Sequence, residues 1–153
     1  MINTAKGLSV IICCHNSSEK ITTTLKHLHE QIQYPGLPYE IILVDNNCTD
    51  RTVDIATNFW NTQVDAFPLH VVVEDQPGLS YARRKGILSS KFEYLTFCDD
   101  DNWLCPEYLK KTIILFETLV DVSLIGGIGE PVFESEAPAW FMNVKGFGYA
   151  IGT

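Results

Sequence analysis

The sequence predicts an α/β fold, a mostly parallel sheet with helices packed on both faces. Strand-like apolar runs begin roughly every 25–30 residues with helix-like stretches between them, the pattern of repeated βαβ units. The first run, LSVIICC at residues 8–14, is apolar without alternation, as a strand covered on both sides must be. Each run also ends in a short polar or acidic turn. A chain of 153 residues suffices for one such domain with its own core and is too short for two ordinary ones.

After the first strand, His15, Asn16 and Ser17 make a polar turn in which Asn16 or a serine can cap a helix. Ile21, Leu25, Leu28 and Ile32 then recur at helical spacing until the Pro- and Gly-containing stretch 34–38 stops the helix. The second strand, EIILVD at 40–45, leads through residues 46–50 into a helix expected to bury Val53, Ala56, Phe59 and Trp60. A third strand at 69–73 ends in Glu74, Asp75, Gln76, Pro77 and Gly78, with a helix opening near Leu79 or Ser80. The fourth, 94–98, runs into Asp99, Asp100, Asp101 and Asn102. Pro106 suits the first turn of a helix whose apolar positions are Leu109, Ile113, Phe116 and Val120. A fifth strand is expected at 122–125, before the glycine-containing stretch 126–129. Residues 1–153 therefore read as one domain, with 1–129 its alternating core and 130–153 irregular.

Composition narrows the function. A formal net charge of −8 argues against a nucleic-acid partner, which needs a basic face. An acidic chain that binds a phosphorylated ligand needs a bridging cation or a local arginine. The five cysteines lack disulfide-framework spacing and read as free thiols in a reducing, cytoplasmic setting. Cys13 and Cys14 fall inside a buried strand, where thiols behave as small hydrophobes. The run at 8–14 is too short to span a bilayer and no signal-peptide pattern is present, which leaves peripheral membrane attachment open.

In an open parallel sheet, ligands bind outside the carboxyl ends of the strands. Those ends carry His15 and Asn16, then Asp45, Asn46 and Asn47, then Glu74 and Asp75, then Asp99, Asp100 and Asp101. Asp and Asn also end strands simply because they favour turns and caps. Four such ends together, one with three adjacent carboxylates, point instead to a site. Grouped carboxylates repel one another unless a cation neutralises them. Oxygen-only ligands suit magnesium or manganese, which keep waters and bridge to phosphates. The alternative is a solvated acidic loop capping the next helix. Arg83, Arg84 and Lys85 form the one dense basic cluster of the sequence. Arg83 is the expected partner of a diphosphate or of a bridging Asp, and Arg84 or Lys85 belongs to a solvated helix face.

Four segments, in this order, resemble family 2 glycosyltransferases. SVIICCHN at 9–16 resembles the family's opening S-V-I-I-P-T-Y-N, and ILVDNNCTD at 42–50 resembles its V-D-D-G-S-T-D or V-D-N-N-S-T-D. GLSYARRKGI at 78–87 resembles G-x-S-x-A-R-N-x-G, and FCDDDNWLCP at 97–106 resembles F-L-D-x-D-D-x-L-x-P, the DXD motif. Together they cover about residues 8–125 in register with the βα units. The resemblance implies the GT-A fold, with this chain as its nucleotide-sugar-binding portion, truncated at the C-terminal end, and residues 130–153 opening the acceptor side. It implies transfer of a sugar from a nucleoside-diphosphate donor, UDP by default, to a hydroxyl of a carbohydrate or lipid-linked acceptor, in polysaccharide or glycoconjugate synthesis. It places Cys13, His15, Asp45 and Asn46 in the nucleoside pocket and makes Arg83 the family's arginine. Asp99 and Asp100 would contact ribose or metal, and Asp101, with Asp99, would hold the manganese or magnesium ion. Such an ion stabilises charge on the departing diphosphate. Members are generally inverting, with a carboxylate as general base on the acceptor.

Three departures matter. Cys13 and Cys14 stand where the family has Pro and Thr, and His15 stands for Tyr, which alters base stacking. Asn46 replaces the second Asp of V-D-D; its amide oxygen can still accept from a base N–H, without charge. Glu130, Glu134 and Glu136 are the only acids after the fifth predicted strand and none sits in a family base motif, so no catalytic base is assigned. The rival reading is a non-catalytic nucleotide-sugar-binding or assembly module, with Trp140 and Phe141 as an interface. A dinucleotide-binding oxidoreductase would need G-x-G-x-x-G after the first strand, where residues 15–19 have none. A zinc site lacks C-x-x-C or H-x-E spacing.

Overall fold

The computed structural model describes residues 5–133 together with Glu136, Trp140 and Phe141. Strand and helix alternate along the chain: β1 (Ala5–Cys14), α1 (Ile21–His29), β2 (Tyr39–Asp45), α2 (Thr52–Asn61), β3 (Leu69–Val73), α3 (Leu79–Ser89), β4 (Phe92–Asp99) and α4 (Tyr108–Thr118). The strands form one parallel sheet in the order β3-β2-β1-β4, so the expected α/β fold is what the chain adopts. The order reverses at β1: the chain first builds outward through β2 and β3, then returns to place β4 on the other side. That reversal is where parallel sheets open a crevice at their carboxyl ends.

β1 and β2 are buried on both faces, which is why their sequences run apolar without alternation. One face carries the larger cluster, in which Val10, Ile12, Ile41 and Leu43 meet Leu25 and Leu28 of α1, Ala56 and Trp60 of α2, and Leu109 and Ile113 of α4. The other face carries Ile11, Ile42 and Val44 against Ala82 of α3. Helices therefore cover both sides. α3 comes close because residue 86 is glycine: a Cβ there would lie 2.3 Å from Ile11 Cγ2.

A buried polar lock sits toward the amino ends of the strands. Ser9 and Glu40 are partners in the β1–β2 register, and the Ser9 hydroxyl donates to Glu40 Oε1 at 2.7 Å. The Lys91 backbone N–H donates to the same oxygen at 2.8 Å. Glu40 Oε2 has no hydrogen-bond donor, but Lys91 Nζ and His70 Nε2 lie 3.5 and 3.6 Å away.

Several helical positions differ from the sequence expectation. α1 ends at His29, and Ile32 is half exposed because its N–H bonds the Pro106 carbonyl at 2.7 Å outside the helix. Gln31 is buried nearby, where its amide bonds the Leu104 and Cys105 carbonyls and accepts the Leu109 N–H. In α2, Thr52 joins Ala56 and Trp60 as the fully buried set, while Val53 and Phe59 are only partly covered. α4 stops at Thr118, so Val120 lies beyond it and is exposed.

All four strands belong to the unit Met1–Thr118, and Leu119–Thr153 forms a second unit. Among the described residues of the second unit there is no strand, and the fifth strand expected at 122–125 is not formed. Leu124 is 90% exposed; apolar residues alone do not make a strand when their backbone has no ladder to join. Instead the Val122 N–H closes a turn on the Leu119 carbonyl at 3.1 Å. The Phe133 and Phe141 rings meet edge to face at 4.9 Å. Glu134 and residues 142–153 lie outside the described residues. Among the described residues no helix is long and apolar enough to cross a membrane.

Candidate functional site

The turns at the carboxyl ends of the strands are tied to one another by side chains. Asn16, just past β1, takes a left-handed φ of 57°, a conformation Asn tolerates better than most residues. That turn aims its Oδ1 at the β2–α2 loop, where it accepts the N–H groups of Thr49 at 2.7 Å and Asp50 at 3.3 Å. Asp50 in turn accepts from the Thr52 hydroxyl and N–H and from the Ser18 N–H. These donors, the Thr52 hydroxyl foremost, hold its carboxyl down at about 2.

Asn46, one residue past β2 and 5% exposed, is bonded through every polar group it has. Its N–H donates to the Cys14 carbonyl at 3.0 Å. Its own carbonyl lies 2.8 Å from His15 Nδ1; a carbonyl only accepts, so the proton is on Nδ1 and neutral His15 keeps Nε2 as an acceptor. The side-chain amide reaches the turn after β3. Nδ2 donates to the carbonyls of Glu74 at 2.9 Å and Gln76 at 2.7 Å, and Oδ1 accepts the Gly78 N–H at 2.9 Å. Gly78 has a φ of 133°, which glycine alone adopts readily, and α3 starts from it.

The three aspartates after β4 diverge. Asp99 faces α3, with Arg83 Nη2 3.5 Å from its Oδ1, and the guanidinium lies 5.4 Å from the centre of the Phe97 ring. Asp100 turns toward α1: its carboxylate accepts the Ser17 hydroxyl, and its carbonyl accepts the Thr24 hydroxyl at 2.8 Å. Asp101 is exposed, its Oδ2 3.2 Å from Lys20 Nζ. Three separate partners relieve the repulsion that adjacent carboxylates would otherwise suffer.

Between these turns lies a cleft of about 320 Å³, within the size range of small-ligand sites. Its lining comes from the ends of β1 and β2 (Cys13, Cys14, His15 and Asn46), from the turn before α3 and its first residues (Pro77, Gly78, Leu79 and Ala82), and from Asp100. Of the residues expected from sequence, Cys13, His15, Asn46 and Asp100 are therefore brought together. Asp45 is not among the lining residues; its Oδ1 accepts the Cys48 N–H at 2.9 Å and shapes the turn. Arg83, Asp99 and Asp101 are outside the lining as well, but Asp99 is the partner of Cys13 in the β1–β4 register, which puts the Arg83–Asp99 pair next to the cleft.

Burial pushes the Cys13 thiol up to about 11 although Arg83 pulls the other way, and pushes Cys98 up to about 12. Burial raises Cys14 further still. Burial thus disfavours the thiolate, the nucleophilic form, at all three. Of the lining residues Pro77, Gly78, Leu79 and Ala82, the sequence marks the last three as part of the family-like segment 78–87 and Pro77 only as part of a turn. The residues that hold Asp100 carried no sequence signal at all: Ser17 reads as a cap and Thr24 as one of three consecutive threonines.

Among the described residues, no three His, Cys, Asp or Glu side chains are grouped to hold a metal ion. The donor set is still oxygen-only, and magnesium or manganese takes one or two carboxylates and completes its shell with water and phosphate. Asp99 and Asp101 carry such oxygens, and in this structure they are turned to two different basic partners, Arg83 and Lys20. Asp100 is held by Ser17 instead.

The model of the family described as glycosyl transferase family 2 matches residues 9–139. The glycosyltransferase AglE of Haloferax volcanii is 34% identical over 128 residues, 83% of this chain and 40% of AglE. The first three curated relatives matched are covered over 29 to 40% of their length. Among solved structures, residues 1–349 of Staphylococcus aureus TarS with UDP superpose with a TM-score of 0.64 at 26% identity, covering 73% of this chain and 32% of that one. The same protein with UDP-GlcNAc gives a TM-score of 0.61. A mannosyltransferase of Pyrobaculum calidifontis, in complex with GDP-Man and Mn2+, shares the fold with a TM-score of 0.54 at 23% identity, over 65% of this chain and 30% of that one.

Proposed function

Because the chain belongs to glycosyl transferase family 2, we propose that its cleft binds the nucleoside-diphosphate part of a nucleotide-sugar donor whose sugar is transferred to an acceptor hydroxyl. The observation that carries this reading is the cleft itself. It opens at the carboxyl ends of the parallel strands, lined from the ends of β1 and β2, from the start of α3 and from Asp100 of the acidic turn after β4.

Each part of such a donor has a counterpart. His15 and Cys13 offer a base-sized wall, and His15 Nε2 offers an acceptor. The amino end of α3, an eleven-residue helix, presents its partial positive charge at the cleft and favours a diphosphate there. Arg83 can exchange Asp99 for phosphate oxygens, since both partners are about half exposed. A manganese or magnesium ion, held by Asp101 and Asp99, would supply charge stabilisation for the departing diphosphate. The UDP and UDP-GlcNAc of the TarS complexes make a UDP-sugar the first donor to test. Inversion by a single displacement, a carbohydrate or lipid-linked acceptor and peripheral membrane association belong to the same proposal. A reducing, cytoplasmic setting is part of the same proposal. No described residue is assigned as the general base.

The test is a thermal-shift screen of UDP, GDP, CDP and ADP with and without manganese. A ligand that binds only the folded state raises the melting temperature with its concentration. The expected result is stabilisation by one nucleotide that depends on manganese, is lost in Asp101→Ala and is reduced in Arg83→Ala. Stabilisation indifferent to the metal and to Asp101→Ala would remove the acidic turn from the site. A radiolabelled-sugar transfer assay on the same protein then separates a transferase from a module that only binds donor.

A further inference from the structure

We propose that Asn46 is a positioning residue that staples one wall of the cleft to the other, and that its side chain takes no part in reading the donor's base. The inference rests on the donor reading above and changes which atoms are available to serve it.

A carboxamide has two N–H donors and one oxygen acceptor. In Asn46 both donors go to backbone carbonyls, those of Glu74 and Gln76, and the oxygen takes the Gly78 N–H. All three partners belong to the turn between β3 and α3, whose Pro77 and Gly78 line the cleft together with His15. Turning the amide toward a base would break these bonds at a residue 5% exposed, where orphaned polar groups are costly. Backbone bonds hold the same residue to the end of β1, through the Cys14 carbonyl and the His15 ring. One residue thus spans three strand ends.

The arrangement also explains why an amide suits this position in this chain. An aspartate could still accept the Gly78 N–H, but its second oxygen would face two carbonyl oxygens with no proton to share. Asn46 and the carbonyls of Glu74 and Gln76 are a matched set, and base selection falls to other groups of the cleft.

The experiment compares wild type, Asn46→Ala and Asn46→Asp in the full 153-residue chain. Affinities for UDP, GDP, CDP and ADP are measured by calorimetry, and amide exchange at Gly78 is followed by NMR without ligand. A staple predicts that both variants weaken every nucleotide that binds by a common factor, about tenfold. It further predicts that Gly78 exchanges faster in Asn46→Ala than in wild type while circular dichroism stays unchanged. A loss confined to one base would make Asn46 a base reader and overturn the proposal, as would Gly78 exchange unaltered by Asn46→Ala. Should Asn46→Ala fail to fold, Asn46→Asp keeps the side-chain volume and carries the same affinity comparison. If wild type binds none of the four nucleotides, the donor reading fails, and Gly78 exchange alone then decides for or against the staple.

Discussion

Arg83 on α3 lies 3.5 Å from Asp99 at the end of β4, with 43% and 52% of the two side chains exposed. An ion pair this open contributes little to folding, and its partners are free to rearrange around an incoming anion. Its value lies in holding a guanidinium beside the cleft.

Arg83→Ala should therefore change the free energy of unfolding by no more than about 0.5 kcal/mol, while weakening nucleoside-diphosphate binding by about tenfold or more. Arg83→Lys should fall between the two, because the charge survives and the planar fork does not. Urea denaturation and calorimetry on the same preparations check both halves. A large loss of stability with unchanged binding would recast Arg83 as structural.

Gly86→Ala should destabilise the fold by about 1–3 kcal/mol, the usual cost of overpacking. The new Cβ would lie 2.3 Å from Ile11 Cγ2, an atom of a fully buried residue. Helix propensity favours alanine by about 1 kcal/mol at most, so the clash wins. In the double variant with Ile11→Ala the losses should be less than additive. Additive losses in urea melts would mean that α3 and β1 do not meet where described.

Acid sensitivity should trace partly to Asp50. Its carboxyl is lowered from 3.8 to about 2 in the fold, so its contribution is complete above pH 3.8 and disappears as pH falls toward 2. Asp50→Asn should flatten the wild-type decline in stability across that window. Equal slopes in acid titrations of the two proteins would show that the Thr52 and Ser18 contacts do not hold in solution.

The thiols should respond at the opposite end of the scale. Cys105 is exposed and should react first with iodoacetamide at pH 8, while Cys13, buried Cys14 and buried Cys98 stay largely unmodified. Cys13 rises from 9.0 to about 11 on folding, so the fold keeps this term below pH 9 and loses it progressively as pH climbs to about 11. Mass-spectrometric mapping of the labelled positions reads the order directly; labelling of Cys13 as early as Cys105 would contradict its raised pKa.

The fold was legible because its strands are made of long apolar runs punctuated by polar turns. β2 and β3 follow the expected spans to within a residue, and β1 and β4 extend theirs by up to three. The fifth strand was misread because Val122, Leu124 and Ile125 satisfy a strand's composition, and composition does not say whether a neighbouring backbone is present. The site was legible in part. Strand ends collect at one edge of a parallel sheet by topology, which is why Cys13, His15, Asn46 and Asp100 meet. Hydrogen-bond direction was not legible: nothing in the letters shows that Asn46 faces the Gly78 turn or that Asp100 faces Ser17.

The contact between Ser9 and Glu40 reaches further than its position suggests. Side chains alternate faces along a strand, so Cys13 packs with Ile11 and Ala82 while Cys14 packs with Ile12 and Leu25. Slipping β1 by one residue would exchange them. A hydroxyl bonded to a carboxylate tolerates no such slip, and it fixes the count from about 13 Å below the cleft, the four residues from Ser9 to Cys13 at ~3.3 Å each. Which thiol looks toward α3 and which toward α1 is thus decided midway along β1, by two buried residues that lie outside the cleft.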